Sequence, residues 1–170
     1  MTDARQCAVD GSCCGPDSPC CEEYAGPVDF RRATTADLES VNSLLSQSHL
    51  PLDGVSECIE RFFVAEAAGS IVGSIGMERH GPFALLRSAA VSQPLQGRGI
   101  GRRLVEELIA DAERDGVSAL YLLTTTAEGY FPSFGFERID RETVPSDLAD
   151  SPELKGACPD SAIVMRKALV

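Results

Sequence analysis

Gln96-Gly97-Arg98-Gly99-Ile100-Gly101 joins residue types that can hold a phosphate through main-chain atoms. Two glycines, two residues apart, let the backbone approach a ligand closely. Ile100, Leu104, Val105, Leu108, Ile109 and Ala112 follow at helical spacing. The first turn of such a helix carries amides without intrahelical acceptors, and its dipole adds partial positive charge there. A phosphate or pyrophosphate suits that corner. A plain strand-to-helix turn would use the same glycines, so the surroundings must decide. A second marked residue is Arg87, inside the apolar run Leu85-Leu86-Arg87-Ser88-Ala89. A guanidinium there is costly to bury unpaired. It points into a substrate cleft, where it would fork onto a carboxylate, or it pairs across the sheet with Glu66 or Glu78.

The elements that must position these groups are legible from periodicity. Val28-Asp29-Phe30-Arg31-Arg32 reads as a short strand, and Thr34 or Thr35 caps a helix with Leu38, Val41, Leu44 and Leu45 on one face. A short helix is expected over residues 55–59. Residues 61–68, 70–78 and 83–91 form successive strands with turns at Gly69 and Gly81-Pro82. The helix after the glycine loop ends near Asp115, with Gly116 as its stop. A buried strand over 117–125, a short helix at Tyr130-Phe131, a strand through Ile139 and a last strand over 161–169 complete the order. This is an α+β layout with a mixed central sheet flanked by helices.

At 170 residues the chain fits one domain with a real core. The organisation has two parts. Residues 1–27 hold Cys7, Cys13, Cys14, Cys20 and Cys21 among small and polar residues and read as a flexible tail; residues 28–170 carry all regular patterning. The net charge of −11 argues against a nucleic-acid partner. No run is long enough for a membrane span, and the N-terminus has no apolar signal-type stretch, so a cytoplasmic protein is expected. Lysine occurs only at 155 and 167, which fits either a halophilic source or a GC-rich genome.

Two stretches carry a family resemblance. Leu86-Arg87-Ser88-Ala89-Ala90-Val91 leading to the 96–101 loop, and Tyr130-Phe131-Pro132-Ser133-Phe134-Gly135-Phe136, resemble the acetyl-CoA strand, pyrophosphate loop and aromatic stretch of the GCN5-related N-acetyltransferases, the GNAT family. The resemblance spans about residues 28–170. Leu122 to Phe131 looks like the N-acetylglutamate-synthase-like branches. Phe63-Val64-Ala65-Glu66, Ala84 to Ser88, Leu120 to Thr126 and Cys158-Pro159-Asp160-Ser161-Ala162 resemble acetyltransferases associated with arsenic resistance.

The resemblance implies the acyl-CoA N-acyltransferase fold and acetyl-CoA as co-substrate. Strands 83–91 and 117–125 would splay, and the pantetheine arm would enter between them as an extra strand along Ala89, Ala90 and Val91. Gln96, Gly97, Arg98, Gly99, Ile100, Gly101 and Arg102 would surround the pyrophosphate, with Arg103 nearby and Phe131 against the coenzyme. An amide near Ala89 or Val91 would polarise the thioester carbonyl. Glu66 and Glu78 are the carboxylates placed to act as base, with His49 and His80 as lesser options. Arg87, Ser88 and Thr125 would bind the acceptor. Many relatives place a tyrosine acid where this chain has Phe131, and Tyr130 beside it is expected to point elsewhere, so no general acid is assigned.

The expected activity is transfer of acetyl to a small-molecule amine, an amino acid or amino-acid-like compound, in a setting that includes arsenic resistance. A homodimer is one expected assembly. The rival reading is a thiol-based binder of As(III) or a soft metal through the tail cysteines, with a non-catalytic CoA-binding domain. The tail spacing does not match paired Cys-x-x-Cys zinc patterns, and no metal site is assigned.

Overall fold

The computed structural model describes residues 26–169. All five tail cysteines, and with them the flexible-tail and thiol readings, lie outside the described residues. Seven strands form one mixed sheet in the order β1-β2-β3-β4-β5-β7-β6. They are β1 Val28–Arg32, β2 Phe62–Ala67, β3 Ser70–His80, β4 Phe83–Val91, β5 Ala119–Thr124, β6 Glu137–Ile139 and β7 Ile163–Ala168. The helices are α1 Leu38–Gln47, α2 Val55–Cys58 and α3 Ile100–Arg114.

Local chemistry accounts for the punctuation. The Asp37 carboxylate accepts the Thr34 amide at 2.8 Å and the Thr34 hydroxyl at 3.2 Å, tying down the chain just before α1. Ala68 and Gly69 both take positive φ, 48° and 75°, which is the twist a two-residue hairpin needs between β2 and β3. Gly116 stops α3 at φ 71°. The expected last strand is trimmed to Ile163–Ala168, and the stretch between β6 and β7 holds helical turns at Arg141–Thr143, Ser146–Leu148 and Glu153–Ala157.

The sheet separates two apolar layers. Leu104, Val105, Leu108 and Ala112 of α3 pack on one face against Ile75, Met77, Leu86, Leu120 and Leu122. On the other, α1 and α2 cover Phe62, Val64 and Ala90. A third cluster on that second side joins Leu85, Ala119 and Tyr121 to Leu148, which anchors the segment after β6.

Two irregularities shape the middle of the sheet. β4 and β5 run parallel but pair only at Phe83–Ala119, Ala84–Leu120 and Leu85–Tyr121. Beyond Leu85 the strands diverge, while β5 stays paired with β7 from Ala119 to Thr124. The second is a bulge in β4: Ser74 sits opposite Ala90, yet Gly76 sits opposite Arg87, so β4 carries one extra residue. Ser88 absorbs it with φ 57°, unusual outside glycine. The Ser74 hydroxyl, fully buried, donates to the Ser88 carbonyl at 3.0 Å and holds the bulge in place.

Candidate active site

A cavity of about 630 Å³ occupies the divergence between β4 and β5. That is a size suited to a small ligand or part of a larger one. One wall is β4 from Leu86 to Val91, and the other is β5 from Leu122 to Thr124. Leu104 and Val105 close it from the α3 side; Leu50, Pro51, Glu153 and Cys158 close it from the other. The cavity therefore passes through the sheet and touches both faces.

The glycine loop forms one end. Gln96, Gly97, Gly99, Ile100, Gly101 and Arg102 line the cavity. Gly97 and Gly99 adopt φ 78° and 81°, conformations an L side chain resists, and a Cβ at either would meet no atom within 4 Å. The glycines are there for backbone shape, not for packing. Gly99 caps α3, whose first intrahelical bond runs from the Arg103 amide to the Gly99 carbonyl at 3.0 Å. The amides of Ile100, Gly101 and Arg102 precede that bond, so they have no helical acceptor and suit an anion. The Gln96 amide group donates to the Val91 carbonyl at 3.0 Å, fastening the loop to the end of β4. Arg102 and Arg103 are engaged on the helix surface, at 2.9 Å to Glu106 and 2.8 Å to Glu107. Arg98 forms no ion pair among the described residues and does not line the cavity.

Tyr130 was expected to point away, but the structure turns it in. It lines the cavity, and its hydroxyl lies 3.2 Å from where a Cβ on Gly101 would be. Phe131 lines the cavity too, edge-on to Tyr130 and to Phe136. Burial raises the Tyr130 phenol above its ordinary pKa. Thr124 contributes to the wall, with its hydroxyl accepting the Ala127 amide at 2.9 Å; Thr125 does not reach the lining.

The opposite end holds a buried charge cluster centred on Arg87, whose side chain is wholly buried. Its Nη1 donates to Glu78 at 3.0 Å, Nη2 donates to the Asp53 carbonyl, and Nε lies 3.4 Å from the Ser88 hydroxyl and 3.5 Å from Glu153 Oε1. Of the two sequence expectations for Arg87, this is pairing across the sheet with Glu78. Arg87 also lines the cavity, with each of its three nitrogens engaged by these partners. Glu78 is equally engaged: it also accepts the Ser151 hydroxyl at 3.3 Å and lies 2.9 Å from His80 Nε2. Glu78 is absent from the cavity lining. Glu66 is further removed, held by Arg31 at 2.8 Å on the β1 side of the sheet, and it does not reach the cavity.

Sequence reasoning missed Glu153. Only 4% exposed, it lines the cavity, and no side-chain hydrogen bond to its carboxylate forms among the described residues. Burial pushes its pKa up to about 7, against a smaller lowering by Arg87, and Glu78 adds to the rise. Cys158 beside it is pushed up to about 11, by burial first. Among the described residues no group of three or more His, Cys, Asp or Glu is arranged to hold a metal ion, and no helix is long and apolar enough to cross a membrane.

Comparison with known proteins agrees with this architecture. Residues 59–138 match the model of the acetyltransferase (GNAT) domain. An uncharacterized N-acetyltransferase of Chlorobaculum tepidum is 31% identical over 118 residues, 66% of this chain and 75% of that protein. The N-alpha-acetyltransferase RimI of Mycobacterium tuberculosis is 40% identical over 81 residues, 44% of this chain and 51% of that protein. Among solved structures, N-acetylglutamate synthase of Neisseria gonorrhoeae in complex with coenzyme A and N-acetyl-glutamate superposes with a TM-score of 0.72 at 21% identity. The likeness covers 85% of this chain but only 36% of that synthase.

Proposed function

The chain belongs to the GNAT family of N-acetyltransferases and uses acetyl-CoA, and from that premise we propose that its acceptor is the amine of a small molecule, an amino acid or amino-acid-like compound. The observation that carries the proposal is the through-sheet cavity: an anion corner at the start of α3 on one side, and an end lined by Arg87, Ser88 and Glu153 on the other. A co-substrate and an acceptor can enter from opposite faces and meet along β4.

The residues fit acetyl-CoA. Gly97, Gly99, Ile100 and Gly101 would hold its pyrophosphate through backbone amides, and Ala89 to Val91, unpaired on the β5 side, would pair with its pantetheine arm. Acetyl moves from the thioester to the acceptor nitrogen. Amides of Ala89 or Val91 would polarise the carbonyl. Ser88 and Arg87 shape the acceptor end, Arg87 by fixing the neighbouring carboxylates in place.

The N-acetyl-glutamate in the neighbouring synthase supports an amino-acid acceptor. A setting in arsenic resistance is supported by the resemblance of the segments at 63–66, 84–88, 120–126 and 158–162 alone. The test is release of free CoA from acetyl-CoA, followed by mass spectrometry, over a panel of amino acids, an amino-acid-like arsenical, and a short peptide with a free N-terminus. Preference for the peptide would overturn the small-molecule reading.

A further inference from the structure

We propose that Glu153 is the catalytic residue that takes the proton from the acceptor's ammonium group. The inference deepens the acetyl-transfer reading and rests on it. Three observations carry it. Glu153 is the cavity-lining carboxylate among the described residues, whereas Glu66 and Glu78 do not reach the lining. Its carboxylate shares Arg87 Nε with the Ser88 hydroxyl, at 3.5 and 3.4 Å, which fixes it beside the β4 bulge, where β4 has lost its β5 partner. Finally, no side-chain hydrogen bond to it forms among the described residues, and its ion pair with Arg87 engages Oε1 alone, which leaves Oε2 for a cationic donor.

Its surroundings also suit the task. The charged and titratable groups facing it are Arg87 from β4, Glu78 from β3, Cys58 from α2 and Cys158 from its own segment. Arg87 is shared with Glu78, so the cluster does not neutralise Glu153 fully. Burial lifts its proton affinity toward neutrality, where a base works best. The segment is braced, since the Glu153 amide donates to the Ser151 hydroxyl at 3.3 Å and that hydroxyl donates to Glu78.

The step balances. An ammonium acceptor gives one proton to the Glu153 carboxylate and becomes a neutral amine. Its lone pair attacks the thioester carbonyl, the C–N bond forms, and the C–S bond breaks with the electron pair leaving on sulfur. The nitrogen's second proton passes to the thiolate, giving free CoA, and Glu153 returns its proton to solvent.

The experiment measures kcat/KM for the best amine of the panel against pH, in wild type, E153Q and E153D, with CoA affinity measured calorimetrically in each. We expect a rise through an inflection near the Glu153 pKa of about 7 in wild type. E153Q should lose that inflection and about a hundredfold or more in rate, with CoA affinity kept. E153D should retain an inflection at reduced rate. An unchanged pH profile in E153Q would overturn the assignment. So would equal rate losses in E153Q and E153D with the same inflection in both, which marks a structural role. Failure of the acetyl-transfer reading is a separate result: wild type that binds CoA and turns over no amine.

Discussion

Gly54 packs directly against the buried guanidinium of Arg87: a Cβ at position 54 would lie 3.0 Å from Nη1 and 3.2 Å from Cγ of Pro152. With φ 77° the position already favours glycine. The loop before α2 thus closes over a charge that pins both Glu78 and Glu153. Gly54→Ala should destabilise by at least the ~1–2 kcal/mol of left-handed strain. It should also lower turnover, because Glu153 is displaced with Arg87. Urea denaturation and steady-state kinetics on the same variant check both.

Arg87→Met leaves two buried carboxylates without their cation. Breaking a buried pair in this way costs about 3–5 kcal/mol. Adding Glu78→Gln should recover part of that loss, since one of the two orphaned charges is removed. A double variant no more stable than Arg87→Met would show that Glu78 is not coupled to Arg87.

At the other end of the cavity, Gly99→Val forces a β-branched residue into φ 81°. We expect CoA affinity to fall at least about tenfold, equivalent to ~1.4 kcal/mol, with the thermal transition largely retained because no atom lies within 4 Å of the new Cβ. Calorimetric titration with CoA reads the first and a melting curve the second.

Ser74→Ala removes the hydroxyl that holds the Ser88 carbonyl. The buried carbonyl loses its partner, at a cost of about 1–3 kcal/mol. Because the bulge sets where β4 leaves β5, KM for acetyl-CoA should rise with the same substitution. A stability loss without a KM change would confine the bulge to a folding role.

Stability against pH should carry two opposite slopes. Glu153 has a folded pKa of about 7, above the ordinary 4.5, so the fold binds its proton more tightly than the unfolded chain. That contribution is complete below about 4.5 and is lost as pH rises through about 7. Asp37, bonded by Arg31, is held well below its ordinary 3.8, so its contribution is present above that value and is lost as pH falls further. E153Q should flatten the decline between about 4.5 and 7 and leave the acid limb intact. Denaturation midpoints across that range decide it.

The regular elements were readable because each follows a period that burial enforces. The 83–91 strand and the α3 stripe from Ile100 to Ala112 match the structure closely. The anion corner was readable because glycine at 97 and 99 is a backbone requirement written in the residue type itself. Ser88 carries the same left-handed backbone without a glycine to announce it, so the bulge left no signal. Glu66 was misleading for a different reason. It keeps the alternation of β2, on the face of Phe62 and Val64, but it sits beside β1, where its side chain meets Arg31 instead of the cavity. Glu153 was invisible because its burial is purely tertiary. It follows Ser151-Pro152 in an aperiodic stretch, which the packing of Leu148 and Leu154 and the Ser151–Glu78 hydrogen bond hold over Arg87. A carboxylate beside an otherwise costly buried arginine was the one signal available, and it pointed equally well to Glu78.

Three residue pairs are all that stitch β4 to β5. The sheet is therefore two panels, β1 to β4 and β5 to β7, meeting at a short seam. A coenzyme arm laid along β4 would act as a splint across that seam. The amides of β5 and β7 should exchange hydrogen more slowly once CoA is bound, although most of them never touch it.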